Sequence, residues 1–151
     1  MNMKQLLIAI GLTGLSFSLQ AQVADPVSWK FEAKKKADGS YDIVAIATVE
    51  NPWHIYSQNT GKGPIPTKLI FKVNPLVELQ GKPKEIGKLE KVYDPNFKSD
   101  VLFYSNTVQF VQAAKLKAKV KTKISGAVEY MVCNDEQCLP PTKKPFDISL
   151  Q

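Results

Sequence analysis

Val27-Ser28-Trp29-Lys30-Phe31-Glu32-Ala33-Lys34 alternates apolar and polar side chains along its whole length. A period of two sends successive side chains to opposite faces, so the stretch reads as a half-buried β-strand and not as a helix. Ala37-Asp38-Gly39-Ser40 then supplies turn chemistry. Residues 41–50 (YDIVAIATVE) are rich in β-branched side chains and read as a second, more buried strand. Asn51-Pro52 breaks it, and residues 53–57 (WHIYS) form a short aromatic strand.

The same reading continues outward. Residues 59–67 (NTGKGPIPT) are a loop by their glycines and prolines, and their Gly-Lys-Gly lacks the spacing and Lys-Ser/Thr ending of a phosphate-binding loop. Strands are expected at 68–73, at 77–80 and, as an edge, at 91–93, whereas 82–90 is polar and has no readable pattern. Residues 94–100 (DPNFKSD) are a turn-rich loop carrying one large aromatic, followed by strands at 101–104 and 107–113. From Lys115 to Lys123 every second residue is lysine. That segment is either one strand with a solvated lysine face, which also discourages edge pairing, or two strands joined by a tight turn near Lys119. A strand at 127–132 runs into Cys133, and 144–150 closes the chain. Short strands, frequent turns and no amphipathic helix predict an all-β chain, a β-sandwich, with an up-and-down barrel as the alternative.

Composition narrows the function. The chain begins Met1-Asn2-Met3-Lys4, followed by a short apolar run to Leu19 and the small residue Ala21, which reads as a secretory signal peptide over residues 1–21. The run is interrupted by Gly11 and Gly14 and is shorter than the roughly 20 apolar residues of a spanning helix. Residues 22–151 are then expected to be one domain, exported to the periplasm or beyond and not inserted in a membrane. With 44% hydrophobic and 23% charged residues, the chain is expected to fold. The net charge is +6, yet every basic residue is a lysine. A nucleic-acid site would use arginine for bidentate contacts, so no nucleic-acid partner is expected and the charge reads as solubility.

Cys133 and Cys138 are the only cysteines, and an oxidising compartment would pair them with each other or with a partner. Zinc would need two more ligands and His54 is the only histidine, so no metal and no cofactor are expected. A strand delivers Cys133, Asn134-Asp135-Glu136-Gln137 reverse the chain, and Cys138 enters a Leu139-Pro140-Pro141 exit that cannot donate ladder hydrogen bonds. Cysteines at the ends of such a turn can approach the roughly 5.5–6 Å Cα separation a disulfide prefers. As a staple the bond would be weak. Closing a loop this short constrains the unfolded chain by about 2 kcal/mol, against about 4.7 for a hundred-residue loop. The adjacent carboxylates disfavour a thiolate, which suits a disulfide attacked by partners. Spacing alone leaves staple and redox site evenly balanced.

Val132-Cys133-Asn134-Asp135-Glu136-Gln137-Cys138-Leu139-Pro140-Pro141 resembles the active-site segment of the N-terminal periplasmic domain of the thiol:disulfide interchange protein DsbD. The resemblance extends to Trp53-His54-Ile55-Tyr56-Ser57 and to Tyr93-Asp94-Pro95-Asn96-Phe97, and so covers nearly all of the chain after the signal. It implies an immunoglobulin-like β-sandwich that relays electrons by protein-disulfide reductase-type exchange, as a monomer. The electrons would pass from a membrane reductase to periplasmic thioredoxin-like proteins. Cys133 and Cys138 would be the redox pair, with Cys138 forming the mixed disulfides. Phe97 would be the aromatic of a cap loop that begins at Asp94, and His54 and Tyr56 would line the site. Two departures are visible: some family members have a longer spacer between the cysteines, and His54 stands where an aromatic hydroxyl is expected. DsbD also continues into a membrane domain and a thioredoxin-like domain, whereas this sequence stops at Gln151, so a separately encoded DsbD-like reductase is expected. The alternative is a non-catalytic immunoglobulin-like binding or structural domain with a local disulfide. Taken alone, Trp53 and Tyr56 read as core aromatics of a strand, and the lysine ladder as a solvated face.

Overall fold

The computed structural model describes residues 25–151, so the signal peptide expected at 1–21 lies outside the described residues. β1 (Val27–Lys35) and β2 (Tyr41–Val49) pair as an antiparallel hairpin. Gly39 supplies φ +81° at its turn, and Asp38 Oδ1 accepts from the Ser40 backbone N–H at 3.0 Å. After Asn51-Pro52 comes β3 (His54–Tyr56), and past the 59–67 loop comes β4 (Lys68–Phe71). β5 (Val77–Asp94) and β6 (Ser99–Leu116) form one long hairpin. β7 (Thr122–Tyr130), β8 (Val132–Cys133) and β9 (Thr142–Leu150) complete the chain.

Among the described residues nine strands make two sheets, the expected immunoglobulin-like β-sandwich. β6 organises the larger, six-stranded sheet: β5 lines one side of it, while β2 and β3 lie end to end along the other. β1 pairs outside β2, and β8 pairs outside β3. The smaller sheet runs β4-β7-β9. Alternation fills the space between them: Ile43, Ala45 and Ala47 of β2 and Val108 and Phe110 of β6 face Ile124, Val128 and Tyr130 of β7 and Phe146 and Ile148 of β9. Among the described residues no helix is long and apolar enough to cross a membrane.

Four expectations are corrected. Residues 77–94 are one strand, including the unreadable 82–90, because β5 is held by backbone pairing to β6 and is mostly exposed, so burial imposes no alternation on it. The two strands expected at 101–104 and 107–113 are a single β6, kinked by a register shift opposite Gly87/Leu89, with Asn106 at φ +69°. The lysine-rich segment is two strands, but residues 117–121 join them as a crossing between sheets and not as a tight hairpin turn. Thr122 to Tyr130 then belongs wholly to β7, which begins five positions before the expected start at Ala127. The chain leaves the smaller sheet at Met131 and enters the larger one at Val132, so β7 does not run into Cys133.

Candidate redox site

The site is built where β3, β8 and the tip of the β5–β6 hairpin meet. The period of two assigns the roles. Ile55, Tyr104 and Val132 point into the main core, so their neighbours Tyr56, Phe103 and Cys133 point to the opposite face of the sheet. There Tyr56, Val101 and Cys133 form a second buried cluster, against which Phe97, Phe103 and Met131 pack. This face needs its own cover, and the hairpin tip supplies it.

Cys133 and Cys138 are joined by a disulfide. They face each other across an antiparallel bridge, with Asn134 N–H donating to the Gln137 carbonyl and Leu139 N–H to the Val132 carbonyl, both at 2.9 Å. That pattern makes them a non-hydrogen-bonded pair, the closer of the two antiparallel pairings. Their Cα atoms lie 4.0 Å apart, nearer than the separation expected from the sequence. Asn134 Oδ1 closes the turn by accepting from the backbone N–H groups of Glu136 and Gln137 at 2.9 and 2.8 Å. The two cysteines differ sharply in burial: Cys133 is 2% exposed, whereas Cys138 stands at the exposed edge.

Phe97 sits in the four-residue tip 95–98, between the paired Asp94 and Ser99. Asp94 shapes that tip, its Oδ1 accepting from Asn96 N–H at 2.8 Å and Phe97 N–H at 3.3 Å. The Phe97 ring meets the Tyr56 ring edge-on at 6.5 Å. A cleft of about 670 Å³ runs between tip and strand edge, lined by both cysteines, His54, Tyr56, Phe97 and Phe103 among others. The structure therefore brings together all six residues that the sequence nominates: His54, Tyr56, Asp94, Phe97, Cys133 and Cys138.

His54 is the register partner of Cys133. Its Nε2 lies 3.3 Å from the Tyr56 hydroxyl, and its ring lies 4.3 Å from that of Phe103. Burial pulls the imidazole below its ordinary pKa, opposed by the negative charges of Asp135, Asp94 and Glu90. Burial also pushes the Tyr56 phenol up to about 12, with the Asp94 charge adding to it, so the phenol stays protonated at neutral pH. Tyr56 is thus both a fully buried aromatic and a wall of the cleft. Trp53 packs against the main core, as its sequence reading expects.

Sequence reasoning missed two supports. Phe103 is indistinguishable by sequence from the other apolar residues of its strand, although its ring packs at a tilt against His54. Gly63 was read only as loop punctuation. It adopts φ +121°, and a Cβ there would lie 2.4 Å from the Phe97 ring, so the 59–67 loop is the seat on which the tip rests. Ser99 Oγ donates to the Lys62 carbonyl at 2.5 Å and holds loop and tip together. The Gly-Lys-Gly spacing was the only local trace of this close approach.

A two-sheet immunoglobulin-like sandwich with an edge disulfide, one cysteine exposed and the other buried under an aromatic hairpin tip, defines the class: a β-sandwich with a cleft-lining disulfide. The family model of the thiol:disulfide interchange protein DsbD, N-terminal, matches residues 20–150, and the chain belongs to that family. No curated protein matches it by sequence. Among solved structures it is similar to the Neisseria meningitidis DsbD N-terminal domain in its reduced form, at TM-score 0.59 and 16% identity, covering 82% of this chain and 85% of that one. It is also similar to the N-terminal periplasmic domain of ScsB from Proteus mirabilis, at TM-score 0.58 and 13% identity. That match covers 82% of this chain and 46% of the other. At these identities the structural likeness establishes the fold.

Proposed function

We propose that the chain is a periplasmic thiol–disulfide exchange domain that carries electrons from a separate DsbD-like membrane reductase to thioredoxin-like proteins through Cys133 and Cys138. The observation that carries this reading is the unequal burial of the pair, beneath a tip that contacts the site through one aromatic ring. A partner thiolate attacks the exposed Cys138 Sγ, the Cys133–Cys138 bond breaks, and Cys133 leaves as the buried thiol. Asp94 and Phe97 form the cap that a partner displaces, and His54 and Tyr56 line the path. Residues 1–21 direct export and are removed. The family membership supports the exchange chemistry, and the named partners extend that reading.

The test is covalent trapping. Cys133→Ala, which leaves the exposed Cys138 free, is expected to form mixed disulfides with periplasmic thioredoxin-like proteins, whereas Cys138→Ala is expected to form few. The wild-type disulfide should also be reducible well above the roughly −300 mV below which structural bonds sit. A Cys133→Ala protein that traps no such partner, together with a bond that resists reduction, would return the disulfide to a structural role.

A further inference from the structure

We propose that His54 is the proton acceptor for Cys133 in the step that resolves a mixed disulfide at Cys138. The proposal rests on the exchange reading above and adds to it the group that moves the proton.

Cys133 faces a specific difficulty. At 2% exposure it has no ready access to bulk water, and a buried thiolate with no cationic neighbour is costly. The groups that line the cleft with it come from four elements. The turn after β8 contributes Asp135 and Glu136, β5 contributes Glu90, Tyr93 and Asp94, β3 contributes His54 and Tyr56, and β6 contributes the apolar Val101 and Phe103. The carboxylates oppose a thiolate but favour an imidazolium, and the Tyr56 phenol holds its own proton. The one histidine of the chain is the remaining group suited to take a proton near neutral pH.

Geometry places it for that task. His54 lies directly opposite Cys133 in the β3–β8 ladder, where facing Cβ atoms stand roughly 4.5–5.5 Å apart, and both residues line the cleft. Nε2 is engaged by the Tyr56 hydroxyl and the ring is held against Phe103. An Nε2–H that donates to that hydroxyl leaves Nδ1 as the basic nitrogen. Burial keeps the imidazole neutral at neutral pH, which is the form a base needs.

In the reduced protein Cys138 has attacked a partner's protein disulfide, forming a Cys138–partner bond and releasing the partner's second sulfur as a thiolate. His54 takes the proton from the Cys133 thiol as its sulfur attacks Cys138 Sγ. The Cys133–Cys138 bond forms, the Cys138–partner bond breaks, and the electron pair leaves on the partner sulfur, which collects a proton from the imidazolium or from water. The two cysteines are oxidised and the partner disulfide is reduced to a dithiol. In the opposite direction the imidazolium returns the proton to Cys133 as it leaves.

The experiment mixes the full, reduced chain with 5,5′-dithiobis(2-nitrobenzoate) and follows release of the coloured thiolate by stopped flow. Attack by Cys138 gives a concentration-dependent phase, and resolution by Cys133 gives a first-order phase. The wild-type first-order phase is expected to fall as pH drops through a midpoint below 6.5. In His54→Gln it should be slower by roughly tenfold or more at pH 7 and should lose that midpoint. The unfolding midpoint in urea should report an intact fold, the concentration-dependent phase should change far less than the first-order phase, and added imidazole should accelerate the first-order phase of His54→Ala. An unaltered rate and pH profile in His54→Gln overturns the proposal, and so does a wild-type profile with no midpoint below 6.5, which needs no variant to fold. Electron transfer to a thioredoxin-like protein separates the two levels. If the reduced wild type leaves that protein's disulfide intact, the exchange reading falls and this proposal with it. If it reduces that disulfide and His54→Gln does so with the same profile, only the role of His54 falls.

Discussion

Cys133 and Cys138 are five positions apart and share one bond, but they meet solvent very differently: Cys133 lies on β8 within a buried cluster, and Cys138 lies outside β8 at the sheet edge. Cys133 lies under Phe97, Tyr56 and Val101, whereas Cys138 follows the turn and is open to a partner. Removing the ring in Phe97→Ala should expose the disulfide, and its reduction by dithiothreitol, followed by mass shift after alkylation, should become several-fold faster. Because Phe97 is only half-buried, the loss of stability should fall below the roughly 3–5 kcal/mol of a fully buried Phe→Ala change, read from the urea midpoint. The cysteine pair was legible from its short spacing, and the Asn134–Gln137 and Asp94 turns because each is a side chain acting on backbone two or three residues away. The burial difference was not, since it depends on the distant segments that cover Cys133 and leave the sheet edge at Cys138 open.

β5 and the 59–67 loop show how one element positions another. The Glu85 carboxylate accepts from Ser57 Oγ at 2.8 Å, Gln58 N–H at 2.6 Å and the Tyr104 hydroxyl at 2.9 Å, tying β5 to the end of β3 and to β6. Glu85→Ala strands these donors and should cost roughly 2 kcal/mol, measured by urea unfolding. Gly63→Ala is expected to act differently. The added methyl would collide with the Phe97 ring and displace the tip, so disulfide reduction should accelerate with a smaller change in unfolding midpoint than Glu85→Ala produces. β1 was readable because it buries one face more than the other and alternation records that, and β2 because its β-branched, largely apolar run matches a more buried strand. Most of β5 was not readable. Its hydrogen bonds come from β6, and Ile86, Leu89, Val92 and Tyr93 are exposed, so no pattern of burial marks the strand.

Across the molecule, buried phenols link the core to solution pH. Tyr56 is pushed up to about 12, and Tyr104 and Tyr130 are pushed higher still, chiefly by burial, with hydrogen bonds to Glu85 and Asp25 adding to the effect. A phenol whose folded pKa exceeds its unfolded value of 10 stabilises the fold while it is protonated. That contribution is complete below pH 10 and is lost as pH rises from 10 through about 12. Thermal unfolding should therefore show a melting temperature that falls across this window, and Tyr130→Phe, which cannot ionise, should flatten the fall. The same variant should lose some stability at pH 7, because the Tyr130 hydroxyl donates to Asp25 at 2.7 Å.

The sequence alone was enough to establish an all-β chain, its turns and its single pair of cysteines, and the family motif nominated six residues that the fold brings to one cleft. These are written in local chemistry: alternation, turn residues and the spacing of the motif. Tertiary structure determined the rest. It made β5 one strand, carried the chain between sheets at residues 117–121 and at Met131, and seated Phe97 on Gly63. It also set His54 against Cys133. Each of these depends on pairing or close approach between segments distant in sequence, where a backbone hydrogen bond or a missing Cβ leaves little or no mark on the residues that take part.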